Sequence, residues 1–235
     1  MVLSAFSAMT GTNYNTNLKM PIGYTMFKPV EKDVYTWSVP DAEFGEMMNG
    51  HLFIQDDGYA LIDPPLMPDL LKNLGVFGKC KAVILLSGSH KRGSVMASGM
   101  LDAPLYVPEF AAVNFNLPNA KPYKNGDNIL GELHAIEIKS EIGVFGEHPI
   151  HEMVLVDSKK RAFISDVCYG HPSGRLNFAP EEVIPGHSPE QVRASIGALI
   201  RALPSGINTA FFGHGTDIKG EFSKQVELRR KEFNL

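Results

Sequence analysis

The residues of this chain that could do chemistry are histidines next to glycine, serine or acidic residues. His214 lies between two glycines, directly after the strand-like segment 208–212. A glycine pair lets the backbone come close to a ligand, so His214 is a candidate binding residue, the alternative being a plain turn histidine. His148 and His151 lie among two glutamates and a proline. Taken alone, such loop histidines are more typical of a protein surface than of a site.

A second polar group follows the apolar segment 81–86 and contains Ser87, Ser89, His90, Lys91, Arg92 and Ser94. Serines near a histidine suggest nucleophilic catalysis, but the chain lacks a Gly-x-Ser-x-Gly motif at a strand-to-helix turn. It also lacks a glycine-rich phosphate loop and a dinucleotide fingerprint. Lys91 and Arg92, with Lys79 and Lys81 nearby, could bind an anionic substrate or simply face solvent.

Strands and helices alternate along the chain, and they must position these side chains. Apolar patterns and turn residues predict strands at 33–39, 51–55, 59–62, 81–86, 104–108, 130–138, 153–156, 161–165 and 208–212. Helices are predicted at 67–74, 94–101 and 222–233, and another begins after Ser188, where Pro and Gln provide capping signals. Two strand-rich halves, each followed by helices, suggest two sheets packed face to face with helices outside.

Several motifs stand at the ends of these strands in a fixed order. They are the segment 60–63 ending in Asp63, the polar loop after 83–86, a Gly-Asp turn at 126–127, a His-Pro segment at 146–149, the segment 163–166 ending in Asp166, and Gly-His-Gly at 213–215. This order resembles the metallo-β-lactamase superfamily over about residues 33–235. The resemblance implies a four-layer αββα sandwich, one domain of residues 1–235 in which 1–32 form an irregular arm or a lead-in strand.

The resemblance also implies a chemistry. In that family, histidine and carboxylate ligands at strand ends hold one or two metals, commonly zinc and sometimes iron or manganese. The metal makes bound water more acidic and polarises a carbonyl or phosphoryl group. His148, Asp166 and His214 match the family's third histidine, bridging carboxylate and final histidine. Asp63 matches an aspartate that supports the metal loop through hydrogen bonds.

The chain departs from the family in its leading motif, His-x-His-x-Asp-His, where segment 87–93 reads Ser-Gly-Ser-His-Lys-Arg-Gly. In one register His90 replaces the second histidine, and in the other it falls between ligand positions while Arg92 takes the last one. The aspartate and at least two histidines are absent in both registers. At most four ligands remain, His90, His148, Asp166 and His214, which argues against a two-metal centre.

Three hypotheses for the function follow, and the sequence leaves open whether the chain is an enzyme. The first is a hydrolase-like protein with one divalent metal, zinc, iron or manganese, and an unknown substrate. The second is a metal-free ligand-binding or regulatory protein in which Arg92 replaces the metal beside Asp166 and anchors an anion near Ser87 and Ser89. A guanidinium repels a nearby metal ion by several kcal/mol at a moderate dielectric constant, which favours the second. A third hypothesis is a structural protein that forms a homo-oligomer.

Composition limits the partners and the compartment. The chain has 235 residues, 44% hydrophobic and 20% charged, with a net charge of −4, which is typical of a soluble domain. Mild acidity argues against nucleic acid as a partner. The sequence contains no apolar run of about 18 residues, so it does not predict a membrane span. A small molecule is the expected ligand. No basic export signal precedes Lys19, so a cytoplasmic location is expected. Cys80 and Cys168 are predicted to be reduced, buried thiols.

Overall fold

The computed structural model describes residues 27–40, 47–91, 93–112, 120–145, 148–178 and 188–235, without the side chains of 141–149. The chain divides into two compact units. The first contains the residues up to Leu85, together with Ser89–Tyr106 and Pro118–Lys121, and the second contains the remainder. Most of the predicted arm at 1–32 lies outside the described residues, and only its end enters the first strand.

The first sheet has seven strands that lie side by side in the order of the sequence. Its first four strands are antiparallel neighbours, and the fourth, fifth and sixth are parallel. The fifth was predicted as a buried parallel strand, and this is confirmed. The strands are β1 (Lys28–Pro29), β2 (Val34–Pro40), β3 (Met47–Gln55), β4 (Gly58–Ile62), β5 (Cys80–Ile84), β6 (Leu105–Pro108) and β7 (Ala120–Tyr123).

Two helices make the parallel connections of this sheet, since parallel neighbours need a crossover segment. Helix α1 (Leu70–Leu74) joins β4 to β5, and α2 (Ser94–Leu101) joins β5 to β6 with the bounds that the sequence predicted. The predicted start of α1 at 67 is wrong, because Asp69 has a left-handed backbone, φ 59°. Gly75 does not end the helical path either; a 3₁₀ turn continues to Phe77.

The second unit contains a five-stranded sheet in the order β14-β11-β10-β9-β8. Strands β11 and β14 are parallel, and the other neighbours are antiparallel. The strands are β8 (Asn128–Ile129), β9 (Leu133–Phe145), β10 (His148–Val156), β11 (Arg161–Ile164) and β14 (Thr209–Phe212), with a separate pair of β12 (Cys168–Gly170) and β13 (Leu176–Phe178). The predicted start of the strand 130–138 is wrong: β9 begins at Leu133, because Leu130 has a φ of 55° in the turn between β8 and β9.

Helices α3 (Glu109–Ala112), α4 (Pro189–Ala202) and α5 (Phe222–Glu232) complete the described elements of the second unit. The capping box predicted for α4 is present: Ser188 Oγ accepts from the Gln191 amide, and Gln191 Oε1 accepts from the Ser188 amide. The apolar face of α4, with Val192, Ile196 and Leu199 buried, joins the core of the unit and packs against β9. Each such side chain contributes about 1.5–3 kcal/mol by burial.

Both cysteines are buried free thiols, which confirms that prediction. Among the described residues, no helix has the length and apolar character that a membrane crossing requires.

Candidate functional site

In the first unit, Asp63 and His90 form a buried hydrogen-bonded pair. Asp63 directly follows β4, with a left-handed backbone at φ 44°, which aspartate tolerates better than most residues do. His90 lies in the 3₁₀ turn Ser89–Lys91 after β5, and its Nδ1 is 2.8 Å from Asp63 Oδ2. The carboxylate accepts the Nδ1 hydrogen and orients the ring. Nε2 is then the nitrogen suited to binding a metal or accepting a proton.

The chain around this pair is held by close backbone packing. Pro64 follows Asp63, and its carbonyl accepts a hydrogen bond from the Gly93 amide at 3.2 Å. A Cβ on Gly93 would lie only 2.0 Å from Leu66 Cγ, so the segment needs glycine there. Trp37 Nε1 donates to the carbonyl of Pro65 at 3.0 Å. These contacts fix the strand end that carries Asp63 beside the turn that carries His90.

In the second unit, Asp166 and His214 lie next to each other at the ends of two neighbouring strands. β11 and β14 are parallel, and Ile164 is paired with Phe212, so both strands end at the same edge of the sheet. Asp166 Oδ1 is 3.5 Å from His214 Nε2, and the two side chains are 16% and 23% exposed. The imidazole and the carboxylate are therefore close and still reachable by a ligand.

Glu152 holds the backbone of Asp166 through hydrogen bonds, and the sequence analysis assigned it no role. It lies on β10 and is fully buried. Its Oε1 accepts the Ser165 amide at 3.3 Å, and its Oε2 accepts the amides of Asp166 at 2.7 Å and Val167 at 3.0 Å. The signal was an acid directly before the apolar strand segment 153–156, because a buried carboxylate needs polar partners. Burial, together with the negative charge of Glu152, raises the pKa of the Cys168 thiol well above its usual value.

The turn that carries His214 is docked on β12 through the backbone. The amide and the hydroxyl of Thr216 both donate to the carbonyl oxygen of Gly170, at 2.8 and 3.0 Å. Gly215 has a φ of 69°, and a Cβ there would lie 2.5 Å from the same oxygen. The glycines beside His214 were expected to let the backbone approach a ligand closely. At Gly215 the close approach is to the backbone of Gly170.

The other predicted site residues have different positions. Ser87 is buried and forms an isolated antiparallel bridge with Glu152, whereas Ser89 is exposed. His148 is the first residue of β10, but its side chain lies outside the described part of the chain, as does Arg92. The predicted pairing of Arg92 with Asp166 therefore stays a prediction.

His151 contacts an aromatic ring and a carboxylate. Its ring stacks on Phe110 with 3.5 Å between ring centroids and an interplanar angle of 18°. Its Nε2 is 2.6 Å from Glu137 Oε1 on the neighbouring strand. The sequence analysis considered this histidine more typical of a protein surface than of a site, and that stays a prediction.

No family model and no curated protein matches the sequence, but many solved structures match the fold. The metallo-β-lactamase DIM-1, in a crystal exposed to ceftazidime, has a TM-score of 0.63 at 15% identity, over 88% of this chain and 96% of that chain. A metallo-β-lactamase from Hirschia baltica has a TM-score of 0.59 at 14% identity, over 86% and 96%.

An archaeal protein of the metallo-β-lactamase superfamily, from Sulfolobus tokodaii, is similar as well. Its TM-score is 0.54 at 14% identity, over 84% of this chain and 85% of that chain. At such identities the likeness concerns the fold, and it extends over most of each chain. The fold class predicted from the strand-end motifs is confirmed: the chain has the fold of the metallo-β-lactamase superfamily.

Proposed function

We propose that the chain is a metal-dependent hydrolase with a single metal ion bound by His90, Asp166 and His214. The observation that carries the proposal is this set of side chains, each of which offers one ligand atom: two imidazole nitrogens and one carboxylate oxygen. Three protein ligands and an open position are typical of catalytic zinc sites. Two histidines and one carboxylate also suit ferrous iron.

The surroundings of these side chains fit the same function. Metal-binding histidines usually donate their second ring N–H to a carboxylate or a carbonyl, and Asp63 accepts from Nδ1 of His90 in this way. Ligating carboxylates are themselves held by hydrogen bonds, and the backbone of Asp166 is held by Glu152. Both supporting carboxylates are buried, at 1% and 0% exposure. Such partners favour a fixed ligand geometry over a flexible surface cluster.

The reaction class rests on the chemistry of such an ion and on the fold. When bound, the ion polarises a carbonyl or phosphoryl oxygen and makes a water molecule more acidic. His90, oriented by Asp63, would hold the ion through Nε2, and the negative charge of Asp166 would offset part of the ion's charge. His214 supplies the second imidazole. Because one fold supports many reactions, the substrate is assigned only as a small molecule with a hydrolysable ester, thioester, amide or phosphoester bond.

A cytoplasmic location stays a prediction.

The test is the metal content of the tag-free protein, measured by elemental mass spectrometry before and after chelator treatment. We expect close to one equivalent of zinc, iron or manganese in wild type and after remetallation. His214→Ala and Asp166→Asn should lose most of it. His134→Ala is the matched control, because His134 is exposed and bonded to Asn128.

The same measurement on His148→Ala decides whether a fourth side chain belongs to the site. No metal in wild type, even after incubation with all three ions, would overturn the proposal. The metal-free alternative, with Arg92 beside Asp166 and a small anion as ligand, would then take its place. If metal is present, a panel of ester, thioester, amide and phosphodiester substrates follows, with the metal-free protein as the blank.

A further inference from the structure

We infer that Glu152 is a positioning residue for the proposed metal site, an inference that rests on the proposed function. Its carboxylate accepts three consecutive backbone amides, those of residues 165, 166 and 167, at 3.3, 2.7 and 3.0 Å. The middle one is the amide of Asp166 itself. The side chain of Glu152 therefore sets the course of the backbone from which the ligand carboxylate of Asp166 projects.

The three amides form a concave anion-binding turn that is filled by a carboxylate of the same chain. Successive backbone N–H groups that converge in this way favour a negative charge at their centre. Both carboxylate oxygens of Glu152 accept hydrogen bonds from these amides. A glutamine would keep one acceptor oxygen, but its NH₂ group would point at the remaining amide N–H groups, which are donors as well. A neutral isostere should thus loosen the turn without changing the size of the side chain.

The backbone of the same strand segment holds a second part of the site. Ser87 forms an antiparallel bridge with Glu152, and the amide of Met153 donates to the carbonyl of Leu86 at 2.7 Å. Leu86 and Ser87 belong to the second unit, and Gly88 separates them in sequence from the turn that carries His90. Glu152 and its neighbour therefore hold residues 86–87 through the backbone, and Glu152 holds residues 165–167 through its side chain. Substitution of Glu152 removes only the side-chain anchor.

A buried carboxylate can be important for stability alone, so the test needs a control with the same kind of burial. Asp157 provides it: it is 6% exposed, and its Oδ1 accepts the amide of Arg161 at 2.9 Å. It lies in the turn between β10 and β11, before the first residue of β11, whereas Asp166 follows the end of that strand. Asp157→Asn therefore removes a buried, hydrogen-bonded charge in the same unit at the opposite end of the same strand.

The experiment compares wild type, Glu152→Gln and Asp157→Asn in the full chain. Cobalt(II) affinity is measured by competition with a chelator, the cobalt absorption spectrum reports the ligand geometry, and the melting temperature reports stability. We expect Glu152→Gln to weaken cobalt binding roughly 10–100-fold and to change the spectrum, as is usual for partners of metal ligands. Asp157→Asn should lower the melting temperature but keep the wild-type affinity and spectrum.

Two further variants keep the test decisive if Glu152→Gln does not fold. Glu152→Asp retains the charge but is one methylene shorter, and it should weaken cobalt binding less than glutamine does. Glu152→Ala leaves the turn open, and millimolar formate or acetate should partly restore the affinity by occupying it. Wild-type cobalt affinity in every folded Glu152 variant would overturn the positioning role while the metal site stands. Absence of cobalt binding in wild type would instead overturn the proposed function.

Discussion

Replacing Gly170 by alanine should displace the turn that carries His214. A Cβ at this position would lie 1.9 Å from the carbonyl oxygen of Thr216 and 3.1 Å from its hydroxyl oxygen. Ordinary Cβ contacts begin at 3.4 Å, so the carbonyl must withdraw by about 1.5 Å, the difference between 3.4 and 1.9 Å. The obstacle is backbone rather than a flexible side chain, and the strain therefore falls on the whole turn.

The size of the effect follows from two contributions. Overpacking of this kind costs about 1–3 kcal/mol. The withdrawal also weakens the two hydrogen bonds that Thr216 donates to the carbonyl of Gly170, each worth about 1 kcal/mol net. We expect the free energy of unfolding to fall by about 3 kcal/mol in Gly170→Ala. Because His214 lies two residues before Thr216, metal affinity should fall as well.

Equilibrium unfolding in urea measures the change, with Gly99→Ala as the matched control. Gly99 lies within α2, and a Cβ there would meet nothing within 4 Å. That substitution should stabilise the protein by up to about 1 kcal/mol, because alanine is the better helix former. Equal stability of the two alanine variants would refute the close backbone contact between Gly170 and Thr216.

Three further predictions concern other parts of the chain. Asp63→Asn should weaken metal binding roughly 10–100-fold, because the amide cannot supply the charge that supports His90; an unchanged cobalt affinity would contradict this role. Burial raises the pKa of the Cys80 thiol from 9.0 to about 11 and that of Cys168 in the same direction. Thiols of the unfolded chain therefore ionise first, and the unfolding free energy should fall as pH rises from 9 towards 11, less steeply in Cys80→Ala; a flat profile in wild type would refute it. Ser188→Ala should cost about 1 kcal/mol in thermal unfolding, since it removes half of the capping box, and a loss below a few tenths would argue against that cap.

Local signals explain why some elements were predicted with their bounds. The helix after Ser188 depends on a cap, a proline and an apolar face within one short segment, and all three act between near neighbours in sequence. Helix α2 was likewise predicted at 94–101. The strand predicted from residue 130 begins three residues later, at Leu133, although Gly131, with a φ of 75°, marked a turn there. Leu130 was read as a strand residue, because leucine rarely adopts the left-handed backbone conformation that it has here.

The candidate ligands were predicted from the family resemblance, but their individual contacts were not. Asp166 and His214 were selected because the motifs at their strand ends match ligands of that family, whereas their 3.5 Å contact depends on β11 and β14 being parallel neighbours. Forty-eight positions separate the two residues in the sequence, and no local pattern specifies that pairing. Glu152 was missed for the same reason, because its three amide donors lie 13 to 15 positions further along the chain.

The sequence by itself determined most of the strands and helices in their order, the αββα fold class and the set of polar residues at strand ends. It did so because turns, caps and apolar periodicity act over a few residues, and because the order of the strand-end motifs is that of a known superfamily. Only the tertiary structure decided which carboxylate orients His90, which strand end faces His214 and which buried acid holds Asp166. Those contacts join distant segments, and sheet pairing and burial bring them within hydrogen-bond distance.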